Sequence, residues 1–139
     1  MKTILNKIFF FITLVSTIAF TNCNNSDDNS LELNIQNKVK LLESSEWLLK
    51  GFEDRVMHTF VAGERLTYYG TDNEFTDEAI PGTQVYTVSG ELLTLDFNFG
   101  NVATYEIRFS CDNTIVEFLK DEEVNTTLYK RNSNYKDCL

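Results

Sequence analysis

The sequence predicts a mainly β protein, an antiparallel up-and-down barrel of eight strands preceded by one short helix. Three observations predict this fold. From Trp47 onward, apolar residues tend to recur at every second position, the spacing that places side chains on one face of a strand. Gly, Asn and Asp residues interrupt this pattern at short intervals that suit hairpins. A meander of eight strands loses its unpaired edges by closing into a barrel, whereas the alternative, an open or sandwiched sheet, keeps them.

Residues 1–22 are predicted to be a secretory signal peptide. Lys2 and Lys7 lie in a start without acidic residues, and a largely apolar run follows at residues 8–20. This run is shorter than the roughly 20 residues that a membrane-spanning helix needs. A basic start followed by a short apolar segment is typical of a signal peptide. A retained anchor helix is the alternative.

Cys23 directly follows the leader, in the segment AFTNC at residues 19–23. This segment resembles the lipobox of bacterial lipoproteins. The resemblance implies cleavage before Cys23 and anchoring of the protein in a membrane through an N-terminal diacylglyceryl cysteine, with palmitate-type acyl chains. The alternative is an ordinary signal peptide that leaves Cys23 as a mature thiol. The polar residues 23–30 are predicted to be a flexible tether.

The tether is also similar to the acidic Ser/Asp segment that follows the lipidated cysteine in Bacteroidetes-type lipoproteins. The residues concerned are Asn24 to Ser30, which include two aspartates and no aromatic side chain. The similarity implies that the protein lies at the bacterial outer membrane. It leaves open whether the protein is on the periplasmic or the surface-exposed face.

Residues 31–139 are predicted to be the folded domain. Residues 31–43 place most of their apolar side chains on one helical face, with Ser30 as the N-cap, so we expect a helix that acts as a lid or plug on the barrel. In the last predicted strand both faces are mixed, so the sequence does not decide whether Leu128 or Tyr129 points inward. The predicted strands cover residues 47–52, 55–61, 64–69, 83–89, 91–97, 102–110, 114–120 and 124–131.

Alternation assigns large apolar side chains to the inner face of several strands. An eight-stranded barrel is wide enough either to be filled by such side chains or to hold one small ligand. Aromatic side chains at inward positions would contact a ligand in a hollow barrel. The candidate ligand-binding residues are Trp47, Tyr86, Phe97, Tyr105 and Phe118.

Four sequence segments together resemble the small lipocalin-like domains of bacterial lipoproteins. They are Trp47 after a short helix, His58-Thr59-Phe60 with Gly63 three residues on, YTVSGELLTL at 86–95 and LYKR at 128–131. The resemblance covers about residues 40–131. It implies a lipocalin-like barrel whose calyx binds an apolar small molecule.

The up-and-down topology predicts a disulfide between Cys111 and Cys138. The end of the last strand lies beside the start of the strand before it, so both cysteines fall at the same end of the barrel. In an exported protein such a pair favours a bridge that holds the C-terminal tail. Two free thiols are the alternative.

Charge and composition exclude several classes of function. The chain has 21 acidic against 12 basic residues, so it repels phosphate and no nucleic-acid partner is expected. We expect no zinc site on the one His and three Cys, and no motif for nucleophilic catalysis is present. His58 is predicted to be a hydrogen-bonded strand residue at the surface. We therefore expect no enzyme activity, no metal and no cofactor.

Two functions remain. The first is a membrane-anchored module whose barrel binds a hydrophobic small molecule. The second is a non-enzymatic interaction module with a filled barrel, which would act through its acidic loops on a protein of the envelope or the extracellular space. The length of the loop at residues 70–82 and its four acidic side chains favour the second function.

Overall fold

The computed structural model describes residues 33–139. The predictions on the leader, on Cys23, on the tether and on Ser30 lie outside these residues. The helix α1 (Ile35–Glu43) begins at Ile35, later than the predicted start at residue 31. Asn34 is its N-cap, because the Asn34 side-chain oxygen accepts a hydrogen bond of 2.9 Å from the backbone N–H of Asn37.

Nine strands and a terminal 3₁₀-helix follow α1 within residues 33–139. Eight of the strands correspond to the eight predicted ones. The ninth, β4, is a two-residue strand inside the predicted long loop at residues 70–82. The strands are β1 (Glu46–Leu49), β2 (Val56–Val61), β3 (Glu64–Thr71), β4 (Glu74–Phe75), β5 (Gln84–Ser89), β6 (Leu92–Asp96), β7 (Val102–Ser110), β8 (Ile115–Lys120) and β9 (Glu123–Lys130), and the 3₁₀-helix is Tyr135–Cys138.

The strands form a closed antiparallel barrel, which confirms the predicted fold class. Consecutive strands pair around the barrel, with β3 pairing directly with β5, and β9 closes the ring by pairing with β1. The short β4 pairs only with the end of β3, outside this ring. Two-residue turns such as Ala62-Gly63 join neighbouring strands, and both residues of this turn have the positive φ that suits a tight hairpin.

The two ends of the barrel can be defined by its strand termini. The closed end is where β1 begins at Glu46 and where β5 turns into β6 beside Glu91. The open end is where β1 ends at Leu49 and β2 begins at Val56. The eight strands of the ring run antiparallel to their neighbours, so each of them connects these two ends.

The helix α1 covers the closed end, which confirms that it acts as a plug. The backbone N–H of Ile35 donates a hydrogen bond of 3.0 Å to the Glu91 carboxylate in the β5–β6 turn. The indole N–H of Trp47 donates one of 2.9 Å to the carbonyl of Leu42. Ile35 and Leu42 are fully buried in the same apolar cluster as the barrel interior.

Aromatic rings fill the barrel from the closed end to its middle. The Phe60 and Phe118 rings stack with centroids 6.2 Å apart, and Tyr86 and Tyr105 pack edge-on against Phe60 and Phe118, each at 5.8 Å. Alternation therefore assigned the inner face correctly in β6, β7 and β8. Alternation also assigns Val88 of β5 to the inner face, but this residue is 40% exposed. The reason is that β3 pairs with β5 only as far as Val85 and leaves the rest of β5 uncovered on that side.

A second apolar cluster lies on the outside of the barrel. Tyr135 of the C-terminal segment stacks on Tyr129 of β9 with ring centroids 4.4 Å apart. The predicted disulfide Cys111–Cys138 is confirmed, with Cα atoms 6.1 Å apart, and it ties this segment to the end of β7. This cluster explains the two apolar faces of β9, since Leu128 is buried inside the barrel and Tyr129 outside it.

Candidate functional site

The open end of the barrel holds a cavity of about 440 Å³. Such a volume lies within the range of small-molecule sites. Strands on opposite sides of the barrel line this cavity, together with the segment before β5. The lining residues are Leu49, Phe52, Val56, His58, Arg65, Thr67, Tyr69, Ile80, Gly82, Gln84, Phe97, Asn125 and Thr126.

Within residues 33–139, Arg65 is the one charged side chain that lines the cavity. The pairing of β2 with β3 places Arg65 opposite Phe60, so both side chains point into the barrel. The Arg65 guanidinium donates a hydrogen bond to the Gln84 side-chain oxygen and lies 5.2 Å from the centre of the Phe97 ring. Its Nε is buried and has no hydrogen-bond partner within residues 33–139.

Burial lowers the pKa of the Arg65 guanidinium to about 10, whereas Tyr105 acts in the opposite direction. The side chain is therefore still positively charged at neutral pH. A partly buried cation without a paired anion is unfavourable, because it loses part of its hydration and gains no Coulomb attraction in return. The cavity lining contains no carboxylate that could supply this attraction.

His58 lies beside Arg65 inside the barrel, and the prediction of a surface position for it was wrong. The register of β1 and β2 pairs His58 with the buried Trp47, so the two share the inner face. His58 is only 7% exposed, and its Nδ1 lies 3.0 Å from the hydroxyl of Thr67. Burial, followed by the charge of Arg65, lowers the pKa of His58 to about 4, so the imidazole is neutral at pH 7.

The structure separates the five predicted ligand-binding residues into two groups. Phe97 alone lines the cavity. Trp47, Tyr86, Tyr105 and Phe118 are nearly fully buried in the packed interior towards the closed end. The interior is thus filled in one half and hollow in the other.

The polar residues of the cavity were missed because the hydrophobic pattern of β3 points to the wrong face as the inner one. Its residues Leu66 and Tyr68 are more apolar than Arg65 and Thr67, yet the second apolar cluster outside the barrel accommodates Tyr68. A better signal is the two-residue turn Ala62-Gly63. It fixes the register of the hairpin and so predicts that Arg65 faces the same side as Phe60.

A second depression of about 340 Å³ adjoins the cavity and shares Leu49, Asn125 and Thr126 with it. It lies where β1 has ended, so that the first residues of β9 have no partner on that side. Lys50 lines this depression. Phe99, at the tip of the β6–β7 turn on the same end of the barrel, is completely exposed. The open end therefore combines apolar side chains with access from solvent.

Other kinds of site find less support in the structure. The acidic residues of the 70–82 loop are exposed. Within residues 33–139, no three His, Cys, Asp or Glu side chains come together as metal ligands would. No helix in this part of the chain has the length and apolar character needed to cross a membrane.

No family model, no curated protein and no solved structure matches this chain. The resemblance to lipocalin-like lipoprotein domains therefore stays a prediction. The cavity is therefore the feature that supports a proposed function.

Proposed function

We propose that the protein binds a hydrophobic small molecule in the cavity at the open end of the barrel. The observation that carries this proposal is the cavity, about 440 Å³ in volume and walled by Leu49, Val56, Ile80 and Phe97 among others. Small-molecule sites typically combine such apolar walls with a few converging polar groups. Here His58 and its neighbours on β3 and β5 supply the polar groups.

The packing of the closed half limits the ligand to the open half. The stacked rings of Phe60 and Phe118 fill the middle of the barrel. Of the predicted contacts, Phe97 would touch the ligand, whereas Trp47, Tyr86 and Tyr105 would support the floor of the site from below.

Filling the cavity tests this proposal. Val56→Trp places a large side chain at the cavity wall, at the start of β2. Val61→Trp is the matched control, because Val61 lies at the other end of the same strand and is exposed. With Nile red as a neutral fluorescent probe, we expect at least about tenfold weaker binding for Val56→Trp only, since the added ring excludes the probe. Equal binding by both variants would contradict the proposal.

We further propose that the chain is exported and anchored at the bacterial outer membrane through a lipidated Cys23. The leader, the cysteine after it and the polar tether at residues 23–30 support this. Cys23→Ser should move the protein from the membrane fraction to the soluble fraction, and labelling with radioactive palmitate should be lost. Retention of Cys23→Ser in membranes would argue against lipid anchoring.

The alternative function, capture of a protein partner through acidic loops, is supported by how the 70–82 loop is held. The Arg131 guanidinium lies 5.0 Å from the centre of the Phe75 ring and donates a hydrogen bond of 3.3 Å to the carbonyl of Asn73. The loop therefore presents Asp72 and Glu74 from a fixed position. Replacing the four acidic residues of this loop by their amides, Asp by Asn and Glu by Gln, should abolish capture of an envelope protein. Undiminished capture would exclude this loop as the contact.

A further inference from the structure

We propose that the ligand of the open cavity is an amphiphile with a singly charged carboxylate head, and that Arg65 binds this head at the floor of the cavity. The inference rests on the proposed function, since it names the chemical class of the same ligand. The observation behind it is an apolar cavity whose lining holds one partly buried cation, Arg65.

The charge of Arg65 is uncompensated within residues 33–139. The three ion pairs found there are Arg55–Asp54, Arg108–Glu106 and Arg131–Glu46, and none involves Arg65. Within residues 33–139, no carboxylate lines the cavity. The partly buried cation in its lining therefore has no counter-ion there, which leaves that place to a ligand.

The hydrogen bonds of the guanidinium lead to the same conclusion. Gln84 accepts from Nη2, whereas Nε has no partner. An arginine binds a carboxylate best through two parallel N–H groups, and Nε with a neighbouring Nη is one such pair. An incoming carboxylate would therefore supply both the missing acceptor and the missing negative charge.

The course of β3 indicates how the molecule would lie. Arg65 is paired with Phe60, which belongs to the packed rings, whereas Tyr69 on the same strand is half exposed at the open end. The head would thus sit on the packed rings, with the apolar tail running past Val56 and Ile80 towards solvent. One positive charge matches one negative charge, which favours a monoanionic head.

Three probes with the same tail test the head group directly: dodecanoate, dodecanol and dodecylammonium. The protein is the exported chain carrying Cys23→Ser, which keeps every residue of the barrel. We expect dodecanoate to bind about ten- to hundredfold more tightly than dodecanol, the range for a charged hydrogen bond, and dodecylammonium to bind most weakly. Equal affinities for dodecanoate and dodecanol would overturn the inference and leave the proposed function intact. Absence of binding by all three would overturn both.

Two variants assign the effect to Arg65. Arg65→Met removes the charge while keeping an apolar stem, and should reduce dodecanoate affinity about ten- to hundredfold without changing dodecanol affinity. Arg55→Gln is the matched control, because Arg55 is a 69% exposed arginine just before β2 at the same end of the barrel, and it should change neither affinity. Unchanged dodecanoate affinity in Arg65→Met would overturn the inference.

A measurement on the barrel without substitution covers the case in which Arg65→Met fails to fold. His58 is the only histidine of the chain, so its ring gives an isolated NMR signal. Burial and, after it, the charge of Arg65 lower the pKa of His58, so a carboxylate bound to Arg65 should raise that pKa, whereas dodecanol should not. The same pKa with dodecanoate as with dodecanol would also overturn the inference.

Discussion

The two halves of the barrel interior are built on opposite principles. In the closed half, the polar atoms of Trp47 and Tyr86 are satisfied by hydrogen bonds to α1, and aromatic rings fill the space. In the open half, Arg65 has a buried Nε without a partner, and His58 is held neutral beside it. We infer that the packing of the closed half stabilises the fold, whereas the polar groups of the open half reduce the stability of the fold and serve ligand binding.

Truncating a ring of the closed half should have the largest effect on stability. Phe118→Ala removes a fully buried ring that contacts Phe60 and Tyr105, so the free energy of unfolding should fall by about 3–5 kcal/mol. Thr126, the partner of Phe118 across β8 and β9, lines the cavity, and Thr126→Ala should cost less than about 1 kcal/mol. Urea unfolding measures both variants. Equal losses of unfolding free energy in the two variants would contradict the distinction between the closed and the open half.

Loss of the disulfide should have the second largest effect on stability. Replacing Cys111 and Cys138 together by Ser should lower the free energy of unfolding by about 2–4 kcal/mol, because the cross-link restricts the unfolded chain between two positions 27 residues apart. Nile red affinity should not change, since the bridge lies at the end of the barrel opposite the cavity. A loss of affinity would show that the outer cluster and the cavity are coupled.

Acid should destabilise the open half through His58. Its folded pKa of about 4 lies below the unfolded value of 6.5, so the unfolded state binds the proton more readily. The stability that neutral His58 contributes is fully present above pH 6.5 and is lost as the pH falls towards 4. His58→Gln should remove this part of the pH dependence, on the order of 2–3 kcal/mol between these limits. Identical pH profiles of the two proteins would contradict a buried, neutral His58.

The sequence predicted most of the fold because its hairpins are short and several strands alternate clearly. The alternation in β6 and β7 places Leu93, Leu95, Tyr105 and Ile107 inside, where they are buried. The face of β9 could not be chosen, since a second apolar layer covers the outside of that strand. Nothing local in the sequence reveals that the C-terminal segment supplies this layer.

The site was harder to predict than the fold. Counting aromatic side chains on the inner face selected the packed half, so only Phe97 of the five candidates reaches the cavity. Arg65 and His58 were not predicted as residues of the site, because a charged residue and a lone histidine on a strand are usually exposed to solvent. Their positions depend on the register set by the turn at Ala62-Gly63.

Arg65→Met tests the contrast between the halves most directly, with the free energy of unfolding and the dodecanoate affinity measured on the same protein. We expect the free energy of unfolding to stay the same or to rise, because an unpaired and partly buried charge is removed, while dodecanoate affinity falls about ten- to hundredfold. A variant that loses stability but keeps its dodecanoate affinity would contradict the account, since Arg65 would then serve the fold and not the ligand.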